Sequence, residues 1–272
     1  MPEGHTLHRL ANLHQERFAG HPVRVLSPQG RFAAEAAILD GSVLESAEAH
    51  GKHLFHVYGP DRTVHVHLGL YGTFREAELP VTEPQGQVRM RIIGPTHWTD
   101  LRGPNACELL TDAEVAALRE RLGPDPLRND SDPESAWHRV QRSRTTIAAL
   151  LMDQKVLSGV GNVYRAEVLF RHGIWPFTPG RELGRERWEL IWSDLVVLMA
   201  EGVKAGRIDT VRPEHTPEAT GRPPRKDRHG GEVYVYRRAG LPCLLCGTPV
   251  ATAELAGRKL YWCPTCQPEP AG

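Results

Sequence analysis

Four cysteines constrain this chain more than any other feature. Cys243-Leu244-Leu245-Cys246 and Cys263-Pro264-Thr265-Cys266 form two C-x2-C pairs with sixteen residues between them. Each C-x2-C turn lets two thiolates reach one ion at ~2.3 Å, and two such turns complete a tetrahedron. The spacing predicts one structural Zn2+ held by Cys243, Cys246, Cys263 and Cys266, in a hairpin too small to fold on its own core. Four protein ligands leave no open position for a reacting water, so this metal serves the fold. Cys107 stands apart and reads as a small buried filler.

Met1-Pro2-Glu3-Gly4-His5 has neither a basic n-region nor an apolar h-region, so no secretory signal and no disulfides are expected. No apolar run approaches the ~20 residues of a membrane span. The expected setting is cytoplasmic, without membrane association.

Zinc ribbons serve many functions, so activity has to be read elsewhere. Lys and Arg balance Asp and Glu at 33 each, and the total gives no nucleic-acid signal. The distribution is uneven. Arg139, Arg142, Arg144, Lys155, Arg165 and Arg171 outnumber Asp153 and Glu167 in 137–171. In 222–238, Arg222, Arg225, Lys226, Arg228, Arg237 and Arg238 outnumber Asp227 and Glu232. Both segments read equally as solvated basic faces or as phosphate-binding ones.

Leu7, Leu10, Leu13 and Phe18 fall at helical spacing, predicting an opening helix over 5–18. The period then changes to two. Residues 43–48, 53–58, 63–68 and 87–93 read as strands, predicting a β-sandwich with Val64, Val66 and Leu68 in its core. His65 and His67 take the opposite face and read as a polar sheet face, since no carboxylate or cysteine accompanies them as a metal partner. A helix is expected over 112–122, capped by Thr111 or Asp112, and further helices over 134–142, 145–153, 161–172 and 184–204. Residues 208–231, rich in Pro and Gly, read as a mobile loop. The fold class is α+β multidomain. A catalytic domain covers 1–123, a linker 124–133, a helical domain 134–232 and the four-cysteine finger 233–272.

Pro2 gains meaning only if Met1 is removed. Its α-amine then has a pKa near ~8 against ~10.4 for lysine, so about a fifth is neutral near pH ~7.4. A neutral secondary amine attacks an anomeric carbon and yields an iminium with no N–H proton to lose, an electron sink for elimination. Glu3, adjacent, is a candidate acid for opening the sugar ring.

These residues occur in one order with Gly51-Lys52-His53-Leu54, with Asp153-Gln154-Lys155 followed by Gly159-Val160-Gly161-Asn162-Val163-Tyr164-Arg165-Ala166-Glu167, and with the four-cysteine tail. Together they resemble the formamidopyrimidine-DNA glycosylase and endonuclease VIII family over nearly the whole chain, more closely the endonuclease VIII branch. The resemblance implies an N-terminal helix plus β-sandwich, a helix–two-turns–helix domain, a zinc finger, and DNA running between the domains. It implies a bifunctional glycosylase and abasic-site lyase that excises oxidised bases and cleaves by β,δ-elimination. The expected partner is double-stranded DNA carrying a damaged base or abasic site, bound by a monomer.

By the same resemblance, Pro2 is the Schiff-base nucleophile, Glu3 the proton donor and Lys52 the phosphate contact that assists β-elimination. Asn162 binds phosphates at a helix start preceded by glycines, Arg121 touches DNA, and Arg258 grips phosphate and assists δ-elimination. Lys155 and the basic residues 222–228 are further phosphate contacts. Gly69-Leu70-Tyr71 resembles the segment that fills the gap left by an extruded base, with Leu70 and Tyr71 as wedges; burial of both in the core is the competing reading. Gly69 stands where that branch usually has a polar residue. Asp100-Leu101-Arg102-Gly103 resembles a shortened arginine loop of the formamidopyrimidine branch without its aromatic. Oxidised pyrimidines are favoured over 8-oxoguanine. Two alternatives remain: a DNA-binding protein of the same fold without chemistry, and a zinc-ribbon module unrelated to DNA.

Overall fold

The computed structural model describes residues 2–226 and 231–270. Met1, and Asp227 and Arg228 of the second basic segment, lie outside the described residues. The chain divides into two compact units, Met1–Arg121 and Leu122–Gly272.

The first unit opens with α1 (Gly4–Phe18), whose Leu7, Ala11, His14 and Phe18 form one buried stripe. The short strands β1 (His21–Pro22) and β2 (Arg24–Leu26), helix α2 (Ala33–Leu39) and strand β3 (Val43–Leu44) follow. Seven further strands are β4 (Ser46–His50), β5 (His53–Val57), β6 (Thr63–His67), β7 (Thr73–Glu78), β8 (Val88–Ile93), β9 (His97–Arg102) and β10 (Ala106–Leu110). They build two four-stranded antiparallel sheets, ordered β10-β6-β5-β4 and β2-β8-β9-β7. Val64, Val66 and Leu68 of the first sheet share one core with Met90, Ile92 and Leu101 of the second, as their alternation requires. Cys107 lies in this core, where burial pushes its thiol up to about 12.

Helix α1 packs along β4 and β5. Its His14 is wholly buried and bridges Nε2 of His56 to Oε1 of Glu76, both at 2.8 Å. Helix α3 (Asp112–Glu120) begins with a capping box between Thr111 and Glu114. In the segment read as a shortened arginine loop, Asp100 and Leu101 are buried residues of β9, Arg102 ends that strand, and Gly103 turns toward β10 with φ +58°. Asp100 binds the Arg91 guanidinium through both oxygens, at 2.6 and 2.8 Å.

In the second unit residues 124–133 are pinned. Ser158 N–H donates to Pro124 O at 3.0 Å, and the buried Asp125 accepts from Leu127 N–H at 2.9 Å. The helices α4 (Pro133–Val140), α5 (Ile147–Leu150), α6 (Asn162–Arg171) and α7 (Arg185–Ala205) follow. Consecutive turns over 151–160 separate α5 from α6, giving the helix–two-turns–helix arrangement. Trp137, Ile147, Tyr164, Trp188 and Leu195 form its core.

The segment read as a mobile loop contains, in its described part, a 3-10 turn at Pro213–His215 and a short helix α8 (Pro217–Thr220). Tyr234 explains the difference: its hydroxyl accepts from Arg212 N–H and bonds His215 Nδ1, both at 2.9 Å.

The tail forms the hairpin β11 (Ala251–Leu255) and β12 (Arg258–Trp262). Leu260 of β12 is wholly buried in the helical core, a burial that contributes about 1.5–3 kcal/mol. Gln267 adds a polar tie, donating to Ile174 O at 2.9 Å. Among the described residues no helix is long and apolar enough to cross a membrane.

Candidate active site and nucleic-acid interface

The four predicted ligands come together. Their sulfurs all lie within 4.8 Å of one another, with Cys243–Cys266 at 3.8 Å and Cys246–Cys263 at 3.4 Å. A tetrahedron with ~2.3 Å bonds has edges of about 3.8 Å, so the residues fit one zinc ion. Backbone N–H groups of Leu245 and Cys266 point at Sγ of Cys243 and Cys263, each at 3.5 Å. A hydrogen bond with Thr248 leads in holding the Cys246 thiol down to about 6. Burial, then the crowding thiols, pushes Cys263 and Cys266 up. A cation at its centre would favour the thiolate form that ligation requires.

The finger hairpin turns through Ala256-Gly257, both left-handed, with φ of +50° and +68°. That pair makes a two-residue turn whose twist suits the flanking strands, and it delivers Arg258 as the first residue of β12. The next residue, Lys259, offers its main-chain carbonyl to the Asn162 side-chain amide at 2.9 Å. Asn162 and the strand carrying Arg258 are thus directly joined.

Arg165 lies wholly buried behind them and hydrogen-bonds Asn162 Oδ1 and Lys259 O. The first basic segment is therefore not one solvated face. Arg165 is internal, and Arg171 is clamped by Asp194 at 2.6 and 2.8 Å. Lys155 is exposed, and its carbonyl accepts from Arg139.

Gln154 organises the Gly-rich turn before α6. Its amide donates to Met152 O and Val160 O and accepts from Gly159 N–H, each at 3.0 Å. Sequence reasoning gave Gln154 no role, because its partners are main-chain atoms. Glu167, counted in the sequence only as an acid among the basic residues of 137–171 and as the end of the 159–167 run, is wholly buried. Its carboxylate accepts from the N–H groups of Tyr234, Val235 and Tyr236 at 2.7–2.9 Å and from the Thr210 hydroxyl at 2.6 Å. Three consecutive amides and a hydroxyl satisfy that carboxylate, and Arg238 is a charged neighbour.

In the first unit, Pro2 is half-buried and Glu3 wholly buried, in extended conformation at the cap of α1. Glu3 O accepts from Thr6 N–H at 2.9 Å. His5 is also buried, and burial leads in lowering its pKa to about 4. Lys52 occupies the two-residue turn between β4 and β5, where His50 pairs with His53. Arg121 is exposed at the C-terminal cap of α3.

Gly69-Leu70-Tyr71 lies between β6 and β7. Leu70 is 49 % and Tyr71 84 % exposed, which excludes the core reading of both. Gly69 has φ +65°, and a Cβ there would meet Asn105 Oδ1 at 2.6 Å. Glycine at this position follows from backbone conformation and space together.

The histidine-bearing face is more organised than the sequence reading held. His65 does have a carboxylate partner: its Nδ1 bonds Glu108 Oε1 at 2.9 Å, and its Nε2 bonds His53 Nδ1 at 2.8 Å. His53 stacks on His67 at 5.0 Å. Glu108 went unnoticed because strand pairing brings it across from His65 from 43 residues away. Among the described residues the four cysteines are the only group placed to hold a metal ion.

Three family models match the chain. The formamidopyrimidine-DNA glycosylase N-terminal domain matches residues 1–107, the formamidopyrimidine-DNA glycosylase H2TH domain 122–212, and the zinc finger found in FPG and IleRS 240–268. The chain is 57% identical over 271 residues to Endonuclease 8 1 of Mycobacterium tuberculosis, covering 98% of this chain and 100% of that relative. It is 31% identical to the formamidopyrimidine-DNA glycosylase of Parasynechococcus marenigrum, over 95% of this chain and 94% of the relative. In fold it is similar to Lactococcus lactis Fpg in a complex with DNA containing an abasic site. That likeness has a TM-score of 0.78 and 22% identity, over 98% of this chain and 100% of the other. Matched along its length in sequence and in fold, the chain belongs to the formamidopyrimidine-DNA glycosylase and endonuclease 8 family of DNA-repair glycosylases and abasic-site lyases.

Proposed function

We propose that this enzyme excises oxidised bases from duplex DNA, pyrimidines in preference to 8-oxoguanine, through a Schiff base on Pro2. Strand cleavage follows by β,δ-elimination. The observation that carries the reading is Pro2 beside the wholly buried Glu3 at the head of α1, in a chain that matches Endonuclease 8 1 across its whole length.

Once Met1 is gone, the Pro2 nitrogen bonds to the sugar's anomeric carbon as the bond to the base breaks, and the base leaves with a proton. Glu3 protonates the ring oxygen, and the ring opens to an iminium. Loss of a proton from the neighbouring sugar carbon expels the 3′ phosphate, whose developing charge the Lys52 ammonium stabilises. Arg258 and Asn162 hold backbone phosphates, Arg258 assists the second elimination, and Lys155 and Arg121 add phosphate contacts. Leu70 and Tyr71, exposed on their turn, are wedges of suitable shape for the gap left by the extruded base. The preference for pyrimidines rests on this turn and on the endonuclease 8 relative.

Borohydride reduction of the protein with abasic-site duplex tests the mechanism. A covalent adduct is expected from the wild type and none from Pro2→Gly, which still binds DNA. A wild type that binds without an adduct would be a binder of the same fold rather than an enzyme. Excision from duplexes with defined lesions tests the substrate, and faster release of 8-oxoguanine than of oxidised pyrimidines would reverse the preference.

A further inference from the structure

We propose that Glu108, His65 and His53 are positioning residues that hold one imidazole tautomer at the Lys52 turn and carry a proton between that turn and solvent. The proposal rests on the reading of Lys52 as the residue that assists strand cleavage.

The chain of contacts follows from strand register. Glu108 of β10 lies directly across from His65 of β6, and His67 of β6 directly across from His53 of β5. His53 immediately follows Lys52. An ionised carboxylate only accepts hydrogen bonds, so Glu108 Oε1 fixes the His65 proton on Nδ1. In the neutral ring, His65 Nε2 is then a lone pair, and His53 has to donate from its own Nδ1. His53 Nε2 is left as a proton acceptor. One carboxylate thereby sets two tautomers in series.

Burial disfavours the charged form of these rings. Burial leads in lowering His53 to about 3 and in lowering His65 and His67. The charged and titratable neighbours divide by sign. His50, His67 and Arg121 act on His53 with the same sign as burial, as Lys52 does on His67 and Arg121 on His65; only Glu108 opposes, at His65. Beyond them on this face, Phe55 stacks on His65, and Arg119 covers Phe55 and pairs with Glu48.

Neutral rings in series pass a proton without storing charge. A proton accepted at His53 Nε2 releases the Nδ1 proton to His65 Nε2. That ring releases its Nδ1 proton to Glu108, and Glu108, whose side chain is 52% exposed, loses it to water. Each N–H or O–H bond broken is matched by one formed, and one proton leaves. His65 itself is buried, so the carboxylate is the solvent end.

The test is single-turnover β-elimination at a preformed abasic site in duplex DNA, across pH 5.5–9, with 15N NMR of the histidine rings. The wild type is expected to show His65 and His53 as Nδ1–H tautomers. Glu108→Leu and His65→Phe should each slow β-elimination at least about tenfold and alter its pH profile, the low end of a lost proton-transfer contribution. Borohydride trapping should stay close to wild type, and the unfolding midpoint should fall only by the loss of one buried hydrogen bond. Glu108→Gln should keep the His65 tautomer yet still slow the step, because an amide oxygen accepts a hydrogen bond but not a proton. Wild-type rates and pH profiles in folded Glu108→Leu and Glu108→Gln, or His65 protonated at Nε2, would overturn the proposal. Lys52→Met separates the two levels. If it cleaves at the wild-type rate, the reading of Lys52 falls and the proposal with it. If it is slow while the Glu108 variants are not, the proton chain alone is rejected.

Discussion

The side-chain amide of Asn162 donates to the main-chain carbonyl of Lys259 at 2.9 Å, which stitches the start of α6 to the strand that begins with Arg258. Asn162→Ala removes this bond and takes a partner from the buried Arg165 guanidinium. A loss of about 1–3 kcal/mol of stability is expected, with faster amide exchange in β12. DNA affinity should fall without a change in salt dependence, because the lost group is neutral. Denaturant titration and binding at two salt concentrations check both halves.

Arg258→Ala should behave differently. One phosphate contact fewer lowers the slope of log affinity against log salt by about one. Strand products should move from δ- toward β-elimination. An unchanged product ratio on denaturing gels would remove Arg258 from the second elimination.

Gly69→Ala introduces a Cβ at positive φ against Asn105. A cost of about 1–2 kcal/mol is expected from the left-handed backbone alone. The turn carrying Leu70 and Tyr71 should shift, so excision at a damaged base should suffer more than cleavage at a preformed abasic site. Equal loss on both substrates would count against a wedge role.

Zinc removal should release the hairpin and expose Leu260, buried in the helical core. Cys263→Ser, or chelation verified by metal analysis, should lower the unfolding midpoint and raise binding of an apolar dye. Full activity and an unchanged midpoint in zinc-free protein would refute a structural metal.

Stability should fall on mild acidification. His5, His53, His56, His65 and His67 all have folded pKa values lowered chiefly by burial. Below the unfolded value near 6.5 the unfolded chain binds protons that the folded chain refuses, so stability is present above pH 6.5 and lost as pH drops below it. The wholly buried His56 contributes up to about 1.4 kcal/mol per pH unit in that window. Melting curves from pH 7.5 to 5 measure the slope, and a flat midpoint would contradict it.

The parts of this molecule that were legible in its sequence are those with a local signature. Val64, Val66 and Leu68 alternate in a run of β-branched and apolar residues, and all three are buried. The cysteine spacing carries the geometry of its own turn. Strand β7, Thr-Phe-Arg-Glu-Ala-Glu, gives no apolar alternation because only Phe74 packs on the core, while Glu76 accepts from His14 of α1. Glu108 and Gln154 were illegible for a related reason: their partners are fixed by strand register or by main-chain atoms, which no side-chain pattern encodes. The catalytic reading of Pro2 came from family resemblance, since one proline after a methionine has no pattern at all.

Glu167 grips Thr210 on one side and Tyr234, Val235 and Tyr236 on the other. Two segments distant in sequence thus share one carboxylate of α6 as an anchor. Loss of that one carboxylate would therefore release both segments at once.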